Sequence, residues 1–210
     1  MKKFLKALVL TVGMLLISGM NSMVFAQDYG TFNYTVQPGD SLWRICEKHQ
    51  VGVSELIAAN PQITNPSMIY PNQVLKVPNL AEVKRLAKEV VTLVNQERAK
   101  QGLAPLKDNW QLARVARYKS EDMRDKNYFS HTSPTYGSPF DMIKNFGIRY
   151  MAAGENIAMG QPTAAEVMKS WMNSPGHRSN ILSKNFTEIG VGVAKSKSGT
   201  LYWTQQFIGR

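Results

Sequence analysis

Of the three histidines in this 210-residue chain, His49, His131 and His177, the last has the most constrained setting. It stands in Ser174-Pro175-Gly176-His177-Arg178-Ser179-Asn180-Ile181-Leu182, directly after a helix-like run ending Trp171-Met172-Asn173. Proline and glycine together predict that the helix stops there and that a fixed turn follows. A histidine aimed by such a turn serves either a working active site or a well-built polar cleft. Two further stretches stand out: Tyr128-Phe129-Ser130-His131-Thr132-Ser133-Pro134 and Ala153-Gly154-Glu155-Asn156-Ile157-Ala158. A hydrolase also needs a defined nucleophile. Ser130, Ser133 and Ser174 are the hydroxyls at hand, and each is equally explained as a turn or cap residue. His49 ends a short helix, where an imidazole meets the helix dipole, and no chemistry is assigned to it.

The elements that must position these residues follow from periodicity. From Ala81, the residues Val83, Leu86, Ala87, Val90, Val91 and Val94 form the apolar stripe of a helix that Gly102 ends. A second helix runs from about Asn109 to Asp125. Ser138-Pro139-Phe140-Asp141 gives a cap, a proline in the first turn and an acid, so a third starts there and stops at Gly147. Thr163-Ala164-Ala165-Glu166 is a capping box opening a fourth. Residues 189–194 and 201–208 read as an antiparallel hairpin, and residues 155–158 as a further short strand. Helices with a small antiparallel sheet make this an α+β layered domain. Asn156 is expected to bond a neighbouring loop, and Arg178 to pair with an acid such as Glu188.

The segment before it is punctuated differently. Tyr34-Thr35-Val36 reads as a strand and Pro38-Gly39-Asp40 as a turn. Leu42, Ile45 and Cys46 lie at helical spacing after a capping Asp40 or Ser41. Ser54 is expected to cap a second helix that stops at Asn60-Pro61, and residues 73–77 form a closing strand. This βααβ unit resembles the LysM family closely, in Tyr34-Thr35-Val36-Gln37-Pro38-Gly39-Asp40-Ser41-Leu42-Trp43-Arg44-Ile45, in Leu56-Ile57-Ala58-Ala59-Asn60-Pro61 and in residues 69–78. The resemblance implies binding of N-acetylglucosamine-containing glycans such as peptidoglycan. The sites it implies are Gly39, Asp40, Ser41 and Leu42 in one loop and Met68, Ile69 and Tyr70 in the other, with Leu42 and Ile69 equally readable as core. The module is also similar to the LysM modules of spore-coat assembly proteins.

The three polar motifs, with Leu93-Val94-Asn95-Gln96-Glu97-Arg98, Gly102-Leu103-Ala104-Pro105-Leu106, Trp171-Met172-Asn173 and Phe186-Thr187-Glu188-Ile189-Gly190-Val191-Gly192, resemble the bacterial branch of the CAP superfamily (SCP-like). The resemblance implies an α-β-α sandwich with a central cleft carrying two histidines and two glutamates. His131, Glu155 and His177 match three of these positions. The second glutamate is replaced by Ser174, which cannot act as a carboxylate base. His131, Glu155 and His177 remain a feasible ligand set for a divalent metal such as zinc, although no His-Glu-x-x-His spacing accompanies them. The other reading is a hydrogen-bonded cluster that stiffens the cleft floor, with no cofactor required.

The N-terminal 26 residues read as a signal peptide, with Lys2, Lys3 and Lys6 before an apolar run and Val24-Phe25-Ala26 at the cleavage site. The run is too short and interrupted for a span, so no transmembrane anchor is expected after cleavage. The expected order is signal peptide 1–26, LysM module 33–78, linker 79–82 and CAP domain 83–210. Lys+Arg number 25 against 15 acids, an excess that favours polyanions such as anionic wall polymers. No basic run interleaved with aromatics supports nucleic-acid binding. The single cysteine, Cys46, cannot form an internal disulfide, and its place beside Leu42 and Ile45 makes it core.

Two functional readings follow. In the first, a non-catalytic, exported wall protein is anchored by LysM and presents its CAP cleft to a lipid-like or glycan ligand. In the second, His131, Glu155 and His177 serve a wall hydrolase or protease. A spore-coat or cortex assembly role rests on the LysM resemblance alone.

Overall fold

The computed structural model describes residues 29–210; the signal-peptide expectation lies outside the described residues. The N-terminal module is β1 (Thr31–Thr35), α1 (Leu42–His49), α2 (Val53–Ala58) and β2 (Val74–Pro78), with the two strands antiparallel. Ser41 caps α1 by accepting from the Arg44 N–H. Ser54 is not the cap of α2. Gly52 is, because the Glu55 carboxylate turns back to accept from the Gly52 N–H at 2.5 Å and begins the helix one residue earlier. Buried Asn60 fastens the end of α2 to β2: its amide donates to Leu56 O and Lys76 O, both at 2.7 Å, and it accepts from Lys76 N–H at 2.8 Å.

The larger domain runs α3 (Ala81–Lys100), β3 (Lys107–Asp108), α4 (Trp110–Asp125), α5 (Pro139–Asn145), β4 (Ala152–Met159), α6 (Ala164–Met172), α7 (Pro175–Ile181), β5 (Glu188–Lys195) and β6 (Leu201–Gly209). Its sheet has the order β3-β5-β6-β4, which leaves β4 on an edge. The parallel strand β3 is too short for a periodicity to reveal. Strand alternation sorts the side chains into two layers. Ile189, Val191, Val193, Leu201, Trp203 and Phe207 join the core with α3, α6 and α7. Ile208 packs with Leu112 and Val115 of α4 on the opposite face, and Ser120 of α4 bonds Thr204 at 2.8 Å. The result is an α-β-α sandwich.

Gly190 and Gly192 let α4 lie directly on β5. A Cβ at Gly192 would stand 2.0 Å from the Arg117 backbone nitrogen. The stretch around His177 departs from expectation. Pro175 and Gly176 end nothing but begin a helix, α7, since proline at the first helical position lacks only an N–H that would be unsatisfied there.

The core is shared across the two modules. Leu80, buried in the short connection, continues one apolar cluster from Leu42, Ile45 and Leu75 to Val83 and Leu86. Cys46 lies inside it, and burial pushes its thiol up to about 12, so it stays protonated and unreactive. No helix among the described residues is long and apolar enough to cross a membrane.

Candidate functional site

The cleft lies at the open edge of the sheet, along β4. Glu155 and Asn156 are neighbours on this strand, so their side chains leave it on opposite faces. Glu155 faces the α4 layer, where its carboxylate meets His131 Nδ1 at 2.9 Å and accepts from Gln206 Nε2 at 3.1 Å. Asn156 faces α7 and donates to the backbone carbonyl of His177 at 3.1 Å, the neighbouring-loop bond expected of it. The Asn180 amide closes this side, bonding Glu155 O at 3.2 Å and Asn156 Oδ1 at 2.9 Å. The two histidines therefore approach the cleft from opposite layers.

Each is held by residues remote in sequence. The loop carrying His131 is pinned by Lys119, whose buried ammonium donates to Ser130 O at 2.7 Å and His131 O at 2.8 Å. Asp122 gathers the rest of that loop, accepting from Tyr128 Oη at 2.7 Å, Ser133 Oγ at 2.6 Å and the Thr135 hydroxyl. These donors, acting against burial, hold the Asp122 carboxyl below its ordinary value. On the other side, Arg98 of α3 reaches the far end of α7, donating to Ile181 O at 2.8 Å and Ser183 O at 2.7 Å. Lys119, Asp122, Arg98 and Gln206 escape a reading from sequence because nothing local marks a lysine or aspartate as buried and fully partnered.

The cleft has a volume of about 510 Å³ and is lined by His131, His177, Ser174, Trp171 and Ile157, with Phe129 and Met159 exposed at its rim. His131 and His177 thus converge with Ser174. Glu155 is shut beneath them, its side chain 1% exposed against 50% for His131. Burial first, and then the neighbouring His131, hold the His177 imidazole below the usual histidine range. Of the three hydroxyls, Ser133 is spent on Asp122 and on the backbone N–H groups of Thr135 and Tyr136. Ser130 accepts from Thr132 N–H. Ser174 begins α7 without a side-chain cap bond and faces the cleft.

The three-residue metal set is not assembled. Among the described residues no group of three or more His, Cys, Asp or Glu side chains is placed to hold a metal ion. Both Glu155 oxygens are already taken by His131 and Gln206, and His177 is on the other side of the strand. The residues present do not fit a resident zinc. Arg178 does not pair with Glu188: that carboxylate bonds Asn109 and the Arg210 guanidinium instead, since α7 leads its arginine into solvent.

In the N-terminal module, Gly39 has a φ of +85° that favours glycine. Its carbonyl accepts from Arg44 Nη1 at 2.6 Å. Asp40 accepts from Gln37 N–H and Tyr34 Oη, which hold its carboxyl below the ordinary range. Leu42 points into the core, 4% exposed, so only its backbone can meet a sugar. Ile69 packs against the same core, while Met68 and Tyr70 stand out at 54% and 58% exposure. Trp43, 51% exposed, is a further aromatic at this end of α1 that the loop motifs did not single out.

Comparison with known proteins agrees with this architecture. The family model described as "Cysteine-rich secretory protein family" matches residues 91–207, and the LysM domain model matches residues 34–78. The uncharacterized protein YkwD of Bacillus subtilis is 62% identical over 130 residues, which are 62% of this chain and 49% of YkwD. SpoIVD-associated factor A of Bacillus subtilis is 48% identical over 46 residues, 22% of this chain and 12% of that protein. A crystal structure of an extracellular SCP-domain protein from Bacillus anthracis superimposes with a TM-score of 0.58 at 34% identity, covering 67% of this chain and 47% of the other. The chain thus spans about half the length of the larger relatives it matches. With the first model matching more than half of its residues, the chain belongs to the cysteine-rich secretory protein (CAP) family and carries a LysM module ahead of that domain.

Proposed function

We propose that this is an exported, wall-associated protein whose LysM module holds N-acetylglucosamine-containing glycans of peptidoglycan, while its CAP cleft binds a lipid-like or glycan ligand without cleaving it. The observation that carries the non-catalytic part is the pairing of His131 with Glu155 beneath a cleft whose lining contains no carboxylate. Ser174, where the family resemblance places a second glutamate, supplies a hydroxyl and no base. A hydrolase built on these groups lacks a nucleophile paired with its base. Exposed Phe129 and Met159 at the rim suit an apolar portion of a ligand.

For the module, the support is the exposed Met68 and Tyr70 beside a loop rich in backbone donors and acceptors. The basic excess makes anionic wall polymers a second class of partner. The likeness of the LysM segment to SpoIVD-associated factor A favours a spore-surface setting, which a fluorescent fusion followed through sporulation tests.

The anchor is tested by retention on purified peptidoglycan. Met68→Ala with Tyr70→Ala is expected to release the protein, and undiminished retention would remove the glycan-binding reading. Incubation with the same material is expected to liberate no muropeptides. Release by the wild type that His177→Ala abolishes would establish the hydrolase instead, as one equivalent of tightly held zinc would establish a metal site.

A further inference from the structure

A larger cavity than the cleft opens elsewhere, at the junction of the two modules. It has a volume of about 640 Å³, within the ordinary range for sites that take small ligands. Phe32 and His49 of the LysM module form one wall, Leu80 and Val83 cross its edge, and facing sides of α3 and α4 complete it. Neither module encloses it alone.

Its charge is one-sided. Lys84, Arg85 and Lys88 of α3 and Arg114 and Arg117 of α4 line it, against a single carboxylate, Asp108. Arg117 is committed to Glu55 and Glu121, and Arg85 to Glu89. Lys84, Lys88 and Arg114 remain. Lys84 donates only to the His49 carbonyl, at 3.2 Å, and the Arg114 guanidinium stands over the Trp110 ring at 5.7 Å. Two nitrogens in the lining, His49 Nε2 and Arg114 Nε, are shut off from solvent with no hydrogen-bond partner among the described residues. Buried donors left unsatisfied are costly, and a ligand that accepts from them relieves that cost.

We propose that this junction cavity binds an organic phosphate, with the phosphate among Lys84, Lys88 and Arg114 and an apolar or ring-shaped body against Trp110, Phe32 and Val83. A phosphate suits the site because its several oxygens match several separate donors. The local potential agrees: burial first, and then neighbouring cations, hold both His49 and Lys84 below their ordinary values. A bound anion would raise both. The same chemistry occurs in a lipid phosphate and in a polyol-phosphate wall polymer.

Calorimetric titration of the full chain with octyl phosphate, glycerol 3-phosphate, inorganic phosphate and octanoate tests the inference. Saturable binding of octyl phosphate or glycerol 3-phosphate is expected, weakened at least tenfold by Lys88→Glu, an exposed and structurally mild change, and by Arg114→Gln. The equally exposed Lys184→Glu is expected to stay within twofold. The His49 ring resonances are expected to titrate at higher pH with ligand bound. Preference for octyl phosphate identifies a lipid source, and equal binding of glycerol 3-phosphate a polyol source. The proposal is overturned if no phosphate saturates, if inorganic phosphate or octanoate binds as tightly as the organic phosphates, or if all variants bind alike.

Discussion

The guanidinium of Arg117 grips the carboxylate of Glu55 across the junction of the two modules, with both nitrogen–oxygen distances at 2.8 Å. The Tyr118 hydroxyl donates to the same carboxylate at 2.8 Å, and Glu121 meets Arg117 from its own helix at 2.6 Å. All four side chains are buried. The bidentate fork fixes orientation as well as distance, so the LysM module is docked on α4 and not merely tethered by its short connection.

Glu55→Ala is expected to destabilise the protein by about 3–5 kcal/mol, the range for removing one partner of a buried pair. It strips Arg117 of its fork, leaves the Tyr118 hydroxyl without its acceptor and removes the cap of α2. Urea unfolding followed by tryptophan fluorescence measures the loss. A change below about 1 kcal/mol, the scale of exposed pairs, would show that the junction is wet and loosely held.

Glu121 and Glu55 are expected to respond oppositely to pH. Burial pushes Glu121 up from 4.5 to about 7, despite the pull of Arg117, because one guanidinium serves two carboxylates. The folded state then holds that proton more tightly than the unfolded chain. Stability falls as pH rises from 4.5 to 7, by on the order of 3 kcal/mol. Glu55 is held below its ordinary value by Arg117, against burial, so its contribution is present above that value and lost as pH falls. Glu121→Gln is expected to abolish the loss between pH 4.5 and 7 in thermal unfolding profiles. A difference from wild type that stays constant with pH would refute this.

In proton NMR titrations, His177 is expected to titrate below the ordinary 6.5, chiefly through burial and secondarily through His131. Its neutral form is favoured in the folded state, so this contribution to stability is lost as pH falls below 6.5. His131→Ala is expected to raise the His177 midpoint only part of the way. A full return to 6.5 would make the neighbouring imidazole the main cause.

Two glycines are expected to part company. Gly192→Ala forces a Cβ to within 2.0 Å of the Arg117 backbone nitrogen, and a helix laid on a strand cannot give locally. A loss of about 1–3 kcal/mol or more is expected. Gly176→Ala meets nothing within 4 Å inside α7 and is expected to be neutral or stabilising by up to about 1 kcal/mol. Chemical denaturation of the two variants decides it, and similar costs would mean that α4 and β5 are not in direct contact.

What the sequence determined by itself is local or periodic. The caps at Ser41, Asn109, Ser138 and Thr163, the stripe on α3 and the paired runs of β5 and β6 are all legible, because capping and burial of one face repeat at short spacing. Motif spacing was enough to bring His131, Ser174 and His177 to one cleft. Tertiary structure decided the rest. Pro175-Gly176 reads equally as a stop or a start until the chain on either side is placed, and here it starts α7. Glu155 could have faced either histidine; strand alternation at an edge gave it to His131 and left His177 to the carbonyl bond from Asn156. The junction was the least legible part. Glu55, Arg117 and Glu121 look like surface charges in a linear chain, and their burial together depends on contacts 62 and 4 residues apart that only packing of α2 on α4 creates.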